Sequence, residues 1–318
     1  MCFRVIYRVT KETQFRRILE IMKTQKFGIE IELTGITRAN AAKVIAGHYG
    51  TSYTHFGGTY DRYDAKDTKG RTWKCMYDSS IEAEKKVNGV KTMAGKEYKT
   101  EVVSPILTYD DIEDLQEIVR KLRRAGAFAN TSTGIHIHVD ASRYTPQTLR
   151  NIVNIIASKE DMLYRALEIN RDRLRYCKKT NERLIETINK KKPKTMAELK
   201  DIWYAEDPYG NRNAHYNSTR YHGLNLHSTF TKGTVEFRLF NGTTHAGKIK
   251  AYIQFCLAVS NQALTQKKAS PRKTTTDNEK YAFRCWMLRL GLIGDEFKTC
   301  RHHFLQSLSG NSAFRRVA

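Results

Sequence analysis

The sequence predicts an α+β protein built on a mostly antiparallel sheet with helices on one face, and three observations carry that expectation. Three stretches, "FGIEIEL" (27–33), "GIHIHVD" (134–140) and "TVEFRLF" (234–240), alternate apolar with ionisable residues. Successive side chains on a strand point to opposite faces, so each stretch is apolar on one side and polar on the other. A parallel sheet buried on both faces would instead read as continuous apolar runs. Strand-like and helix-like segments also alternate without a clear linker or repeat, and 318 residues suffice for one large domain with an appendage.

In chain order, residues 13–24 read as a short amphipathic helix with Phe15, Ile18, Leu19 and Met22 on one side. "KFGIEIELTG" follows as a strand, and "TRANAAKVIAGHYG" as a helix capped by Thr37 and ended by glycine. Around the Lys69–Gly70 turn, "TYDRYDA" and "RTWKCMYD" predict a hairpin. The tyrosine-rich run 48–67 is either a plain surface hairpin or part of a substrate mouth. "EYKTEVVSPIL" is a strand stopped by Pro105, and "YDDIEDLQEIVRKLRRAG" a helix with acids first, bases last and Gly126 beyond. The strand at 134–140 comes next, then a long helical region over about 146–192, whose charged run "NRDRLRYCKKTNERL" reads as the exposed side of a helix. "RYHGLNLHST" and "GTVEFRLFNGT" read as two more strands, and the tail from Lys248 as helices interrupted by the basic loop "TQKKASPRKTTTDNEK".

Composition narrows the class. No apolar run approaches the ~20 residues of a membrane span, the scattered charges of the first residues lead us to expect no export signal, and six cysteines lie far apart without a CxxC pair. A cytoplasmic protein with reduced thiols is expected. Fifty-five Lys plus Arg against 33 Asp plus Glu give a net charge of +22, which attracts anions: nucleotides, nucleic acid or an acidic protein.

On the polar side of the strands stand Glu30 and Glu32, then His136, His138 and Asp140, then Glu236 and Arg238. Paired glutamates are poor choices for a plain solvent-facing strand, because they repel and have low strand propensity. A cation between them reverses that. Carboxylates outnumber imidazoles and no cysteine is placed to help, so Mg²⁺ or Mn²⁺ is expected rather than structural zinc. Arg238 shares the acidic face and Arg220 is a second arginine suited to phosphate. Together these features point to ATP-dependent chemistry, and no P-loop or kinase motif is present, so ATP must lie on a sheet.

The order "GIEIE", "TEVVSP", "TGIHIHVD", "RYHGLN", "GTVEFRLFNGT", over about residues 26–245, resembles the amidoligase family. These are carboxylate–amine ligases of the glutamine synthetase and glutamate–cysteine ligase superfamily. The resemblance implies a curved antiparallel sheet of glutamine synthetase catalytic type with two or more divalent ions on its inner face. It implies that Glu30, His136 and Glu236 ligate the metal at the ATP phosphates, and Glu32 and Glu101 a second metal. The third carboxylate there would be Asp78, with Glu97 in reserve. Arg238 and Arg220 would act on the transferred phosphoryl group, with His138, Tyr221 and Asn225 as pocket neighbours. The activity implied is ATP-dependent amide or isopeptide formation through an acyl phosphate, between small-molecule, peptide or protein carboxylates and amines. The catalytic domain would span 1–247, with a helical insertion at about 146–205, and 248–318 would be a helical extension packed on it. Two other readings stay open: a metal-dependent hydrolase or phosphoesterase, and an inactive basic nucleic-acid-binding protein.

Overall fold

The structure, a computed structural model, describes residues 19–315. Of the helix expected over 13–24, residues 19–23 are helical and residues 13–18 lie outside the described residues, as does Cys2. The strands are β1 (Phe27–Leu33), β2 (Tyr53–Gly57), β3 (Arg62–Lys66), β4 (Thr72–Tyr77), β5 (Glu84–Val87), β6 (Val90–Met93), β7 (Thr100–Val103), β8 (Gly134–Asp140), β9 (Leu224–Asn225) and β10 (Thr234–Asn241). Eight of them form one sheet in the order β2-β3-β4-β7-β1-β8-β10-β9, with every pairing antiparallel; β5 and β6 form a separate hairpin. The α+β class and the antiparallel sheet expected from the alternating strands are thus observed.

The helices are α1 (Arg38–Tyr49), α2 (Ile112–Arg124), α3 (Pro146–Ala166), α4 (Glu182–Lys191), α5 (Met196–Tyr204), α6 (His227–Lys232), α7 (Ala246–Thr265), α8 (Glu279–Arg289) and α9 (Lys298–Leu305). Helix α1 starts where Thr37 accepts a hydrogen bond from Asn40 N and stops at Gly50, whose φ of +66° suits glycine. It packs on β3 and β4, α7 packs on β8, and α2 and α3 flank α7. The core lies between these helices and the apolar side of the sheet, where Ile29, Ile31, Ile135, Ile137 and Phe237 are at most 1% exposed. Among the described residues no helix is long and apolar enough to cross a membrane. The five described cysteines are free thiols, and Cys75, Cys177, Cys256 and Cys300 are buried.

Two elements differ from expectation. The helix predicted over 146–192 is broken: α3 ends at Ala166, Glu168 adopts a φ of +49°, and a 3-10 turn at Arg171–Arg173 intervenes before α4. This stretch leaves the helical layer because Asn241 Oδ1 takes its Asn170 N–H and Tyr164 donates to Cys177 O, which carries Arg173 onto the sheet. "NRDRLRYCKK" is therefore not the outer side of a helix. "RYHGLNLHST" likewise holds only two strand residues, because from His227 the chain turns into α6, with Asn225 Oδ1 accepting from His227 N.

The hairpin at Lys69–Gly70 is fastened to the start of α2. Asp111, buried, accepts both Arg71 Nη atoms at 2.9 Å and Lys69 Nζ at 2.8 Å, while closing a capping box with Thr108. Burial pushes its carboxyl up, but these donors outweigh that and hold it well below the usual carboxylate range. Its stabilisation is therefore complete above the unfolded-state pKa of about 4 and is lost as pH falls below that value. Asp111→Asn should cost about 2 kcal/mol at pH 7. In melting curves the gap to wild type should narrow steadily below pH 4.

Candidate active site

Strand register assembles the polar face rank by rank. Across β1 and β8, Glu30 stands opposite His136 and Gly28 opposite His138. Across β1 and β7, Glu32 faces Glu101, and across β8, β10 and β9, His138 faces Glu236, which faces Asn225. Period-2 alternation then points all these side chains to the side away from the core.

The resulting cluster is tight. Glu30 Oε2 lies 3.0 Å from His136 Nδ1, and Glu30 Oε1 lies 3.2 Å from His138 Nε2. Glu236 Oε1 is 3.8 Å from His136 Nδ1 and 2.5 Å from Arg238 Nη1, and Asn225 Nδ2 donates to its Oε2 at 2.6 Å. Glu32 sits 3.6 Å from His136 Nε2 and accepts the Gly134 N–H. One donor atom from each of Glu30, His136 and Glu236 lies within 4.8 Å of the others, and the same holds for Glu32, Glu101 and His136.

The electrostatics of the two groups differ. Burial pushes Glu30 and Glu236 up, but His138 beside both and Arg238 beside Glu236 more than offset it, so both are held below the usual carboxylate range. Burial and the charges of Glu30, Asp78 and Glu32 drive Glu101 well above that range, outweighing the opposing charge of Lys232. His138 is raised: the carboxylates of Glu236 and Glu30 outweigh its burial.

The profile of the family described as "putative amidoligase enzyme" matches residues 23–260, three quarters of the chain. The chain belongs to this amidoligase family. No curated protein matches it. Among solved structures, a bifunctional glutathione synthetase from Pasteurella multocida aligns at 12% identity and a TM-score of 0.42, over 92% of this chain. This chain spans 48% of that protein's length, and the likeness is too distant to carry an argument.

Further residues complete the amidoligase site. A β-bulge in β10 puts Arg238 and Leu239 together opposite His136, so Phe240 rather than Leu239 registers with Ile135. Strict alternation of register breaks at this point, although Leu239 is still buried in the hydrophobic core as its apolar side chain predicts. Next to Glu236 and Asn225 opens a cavity of about 180 Å³ that Arg220, Lys232 and His215 also line. Arg220 donates to His215 O and stacks between Tyr216 and Tyr221, 5.5 and 5.8 Å from their ring centres. The tyrosine-rich run forms the edge strand β2 and its neighbour β3, and its Tyr60 hydroxyl lies beside that of Tyr216, which is pushed up to about 12.

Several expected residues stand apart. Asp78 belongs to neither donor group; its Oδ1 accepts from the Ser80 N–H and hydroxyl, although its charge reaches Glu101. Glu97 folds back over Gly95 in its own 3-10 turn. Asp140 ends β8 by accepting from Ser142 N and Oγ. Two cations escaped the sequence reading. Arg173, 2% exposed, lies 3.6 Å from Glu32 and donates to Arg238 O, and Lys232 Nζ is 3.7 Å from Glu30. Gly134 is glycine for this reason: a Cβ there would stand 2.0–2.3 Å from the Arg173 guanidinium.

The donor set suits a hard divalent ion. Four carboxylates and one shared imidazole crowd one buried face, an arrangement that like-charge repulsion opposes unless a cation sits among them. The buried Nε atoms of Arg173 and Arg238 also lack hydrogen-bond partners among the described residues, which leaves donors for a polar ligand.

Proposed function

We propose that this amidoligase is an ATP- and divalent-metal-dependent carboxylate–amine ligase that works through an acyl phosphate. The observation that carries the reading is the pair of oxygen-rich donor groups sharing His136, flanked by Arg238, Arg220 and Lys232. In this reading the eight-stranded sheet is the curved half-funnel of the glutamine synthetase type, with its acid-bearing face as inner wall. The catalytic domain is 1–247 with the helical insertion of about 146–205, and 248–318 is an extension supporting it from behind. A cytoplasmic location fits the free thiols and supplies the ATP.

Glu30, His136 and Glu236 would hold one Mg²⁺ or Mn²⁺, and Glu32 and Glu101 with His136 nearby would hold a second. Bound there, the ions neutralise charge on the transferring phosphoryl group. The chain's own residues do the rest. Arg220 and Lys232 draw the triphosphate into the cavity beside Glu236, and Arg238 offers donors to the phosphoryl oxygens. Asn225 and Arg238 fix the Glu236 carboxylate, and Arg173 fixes Glu32. The acid's carboxylate oxygen attacks the γ-phosphorus and ADP leaves. The amine attacks the acyl carbon, loses a proton, and phosphate departs, leaving the amide. Exclusion of water protects the mixed anhydride meanwhile.

The test is ADP release with Mg²⁺ across panels of acids and amines. The reading expects turnover only with both substrates present. It also expects a hydroxamate when hydroxylamine replaces the amine. Metal-dependent phosphoester cleavage without ATP would instead establish a hydrolase. Gly134→Ala provides a finer check. By displacing Arg173 while sparing the core, it should lower kcat on the order of 10²-fold with little change in melting temperature.

A further inference from the structure

A second concentration of charge lies away from the sheet, along α3. Residues 266–278 form neither helix nor strand, yet they are fastened to that helix by their backbone. Asn151 Nδ2 donates to Gln266 O at 2.7 Å, and Asn151 Oδ1 accepts from Ala269 N at 3.1 Å. Asn154 Nδ2 donates to Ala269 O at 3.0 Å, and Thr274 N donates to Ser158 O at 3.1 Å. Asn151 and Asn154 are fully buried, so the anchor points are rigid.

Because the ties use backbone atoms, the side chains of Lys267, Lys268, Arg272 and Lys273 are left exposed. Lys273 leans on Asp161 at 3.3 Å; the side chains of Lys267, Lys268 and Arg272 make no hydrogen bond or ion pair among the described residues. Neighbouring acids are already engaged, Asp161 also by Lys179 and Glu279 by Arg165, and Asp277 is the single acid within the strap. Like charges held in an ordered segment repel, and a polyanion relieves them. The strap carries no aromatic residue, so stacking on unpaired bases has no platform here, which favours a paired nucleic acid met through its backbone. The anchors from Asn151 to Ser158 cover roughly 10 Å of helix, the axial reach of about three successive phosphates of one strand.

We propose that the strap 266–278 on α3 is a docking surface for the phosphate backbone of a double-stranded nucleic acid. Binding is independent of base sequence and of ligase turnover.

The test measures anisotropy of a labelled 20-base-pair duplex with the full chain between 50 and 200 mM NaCl. Three to four phosphate contacts give a log–log salt slope of about −3 to −4. The triple variant K267E/K268E/R272E should weaken binding at least 30-fold at 100 mM NaCl and flatten the slope by about 2 to 3. K85E/K86E/K91E, on the β5–β6 hairpin, makes the same change in net charge and should weaken binding less than 3-fold. The neutral set K267Q/K268Q/R272Q, which leaves the backbone ties in place, should weaken it about 10-fold and covers the case in which the glutamate variant fails to fold. Equal losses in the two charge-reversed variants would overturn the proposal in favour of diffuse attraction. So would a strap variant that binds like wild type, or strap-dependent binding of polyglutamate tighter than that of the duplex.

Discussion

Glu236→Gln should lower ADP formation by about three orders of magnitude, equivalent to about 4 kcal/mol of barrier, while leaving a folded protein. Glutamine keeps the volume and can still meet Asn225, so the loss measures charge. In the native site that charge is secured: Arg238 at 2.5 Å and the histidines at 3.7 to 3.8 Å hold the carboxylate ionised despite its burial. The neutral amide is a much weaker ligand for a hard cation and leaves Arg238 without its partner. Steady-state ADP assays over a Mg²⁺ range check this. High Mg²⁺ should recover only a small part of the rate. A variant retaining more than a tenth of wild-type turnover would remove Glu236 from the catalytic centre.

Arg238→Lys retains the positive charge and should still cost 10²- to 10³-fold in kcat, with a smaller change in KM for ATP. The guanidinium grips Glu236 through Nη1 while its buried Nε has no hydrogen-bond partner among the described residues, so one group holds the acid and keeps a further donor in reserve. An ammonium can do the first or the second but lacks the planar fork to do both. Separating kcat from KM decides the matter, because lost ground-state affinity alone would raise KM and spare kcat.

The sheet and the acidic face were legible in the sequence because a strand's period of two is a local property. Glu30, His136 and Glu236 could be placed on one side by counting alone, and register then brought them together. What counting could not reach is non-local. Arg173 lies in a run of charges that reads as the outside of a helix, and only the tie of Asn170 to Asn241 brings it over Glu32. The bulge at Arg238 and Leu239 depends on a partner strand about 100 residues upstream and leaves no mark in "TVEFRLF". Asp78 was assigned a ligand role through resemblance rather than periodicity, and its carboxylate instead closes a turn on Ser80.

The proposed chemistry requires the polar face to hold cations, and a Mn²⁺ titration followed by electron paramagnetic resonance tests that requirement most directly. With a non-hydrolysable ATP analogue present, the wild-type chain should take up two ions. Glu30→Gln should lose the one assigned to Glu30, His136 and Glu236 and keep the one assigned to Glu32 and Glu101. No uptake by the wild type, or uptake unchanged in a Glu30→Gln/Glu32→Gln double variant, would contradict it.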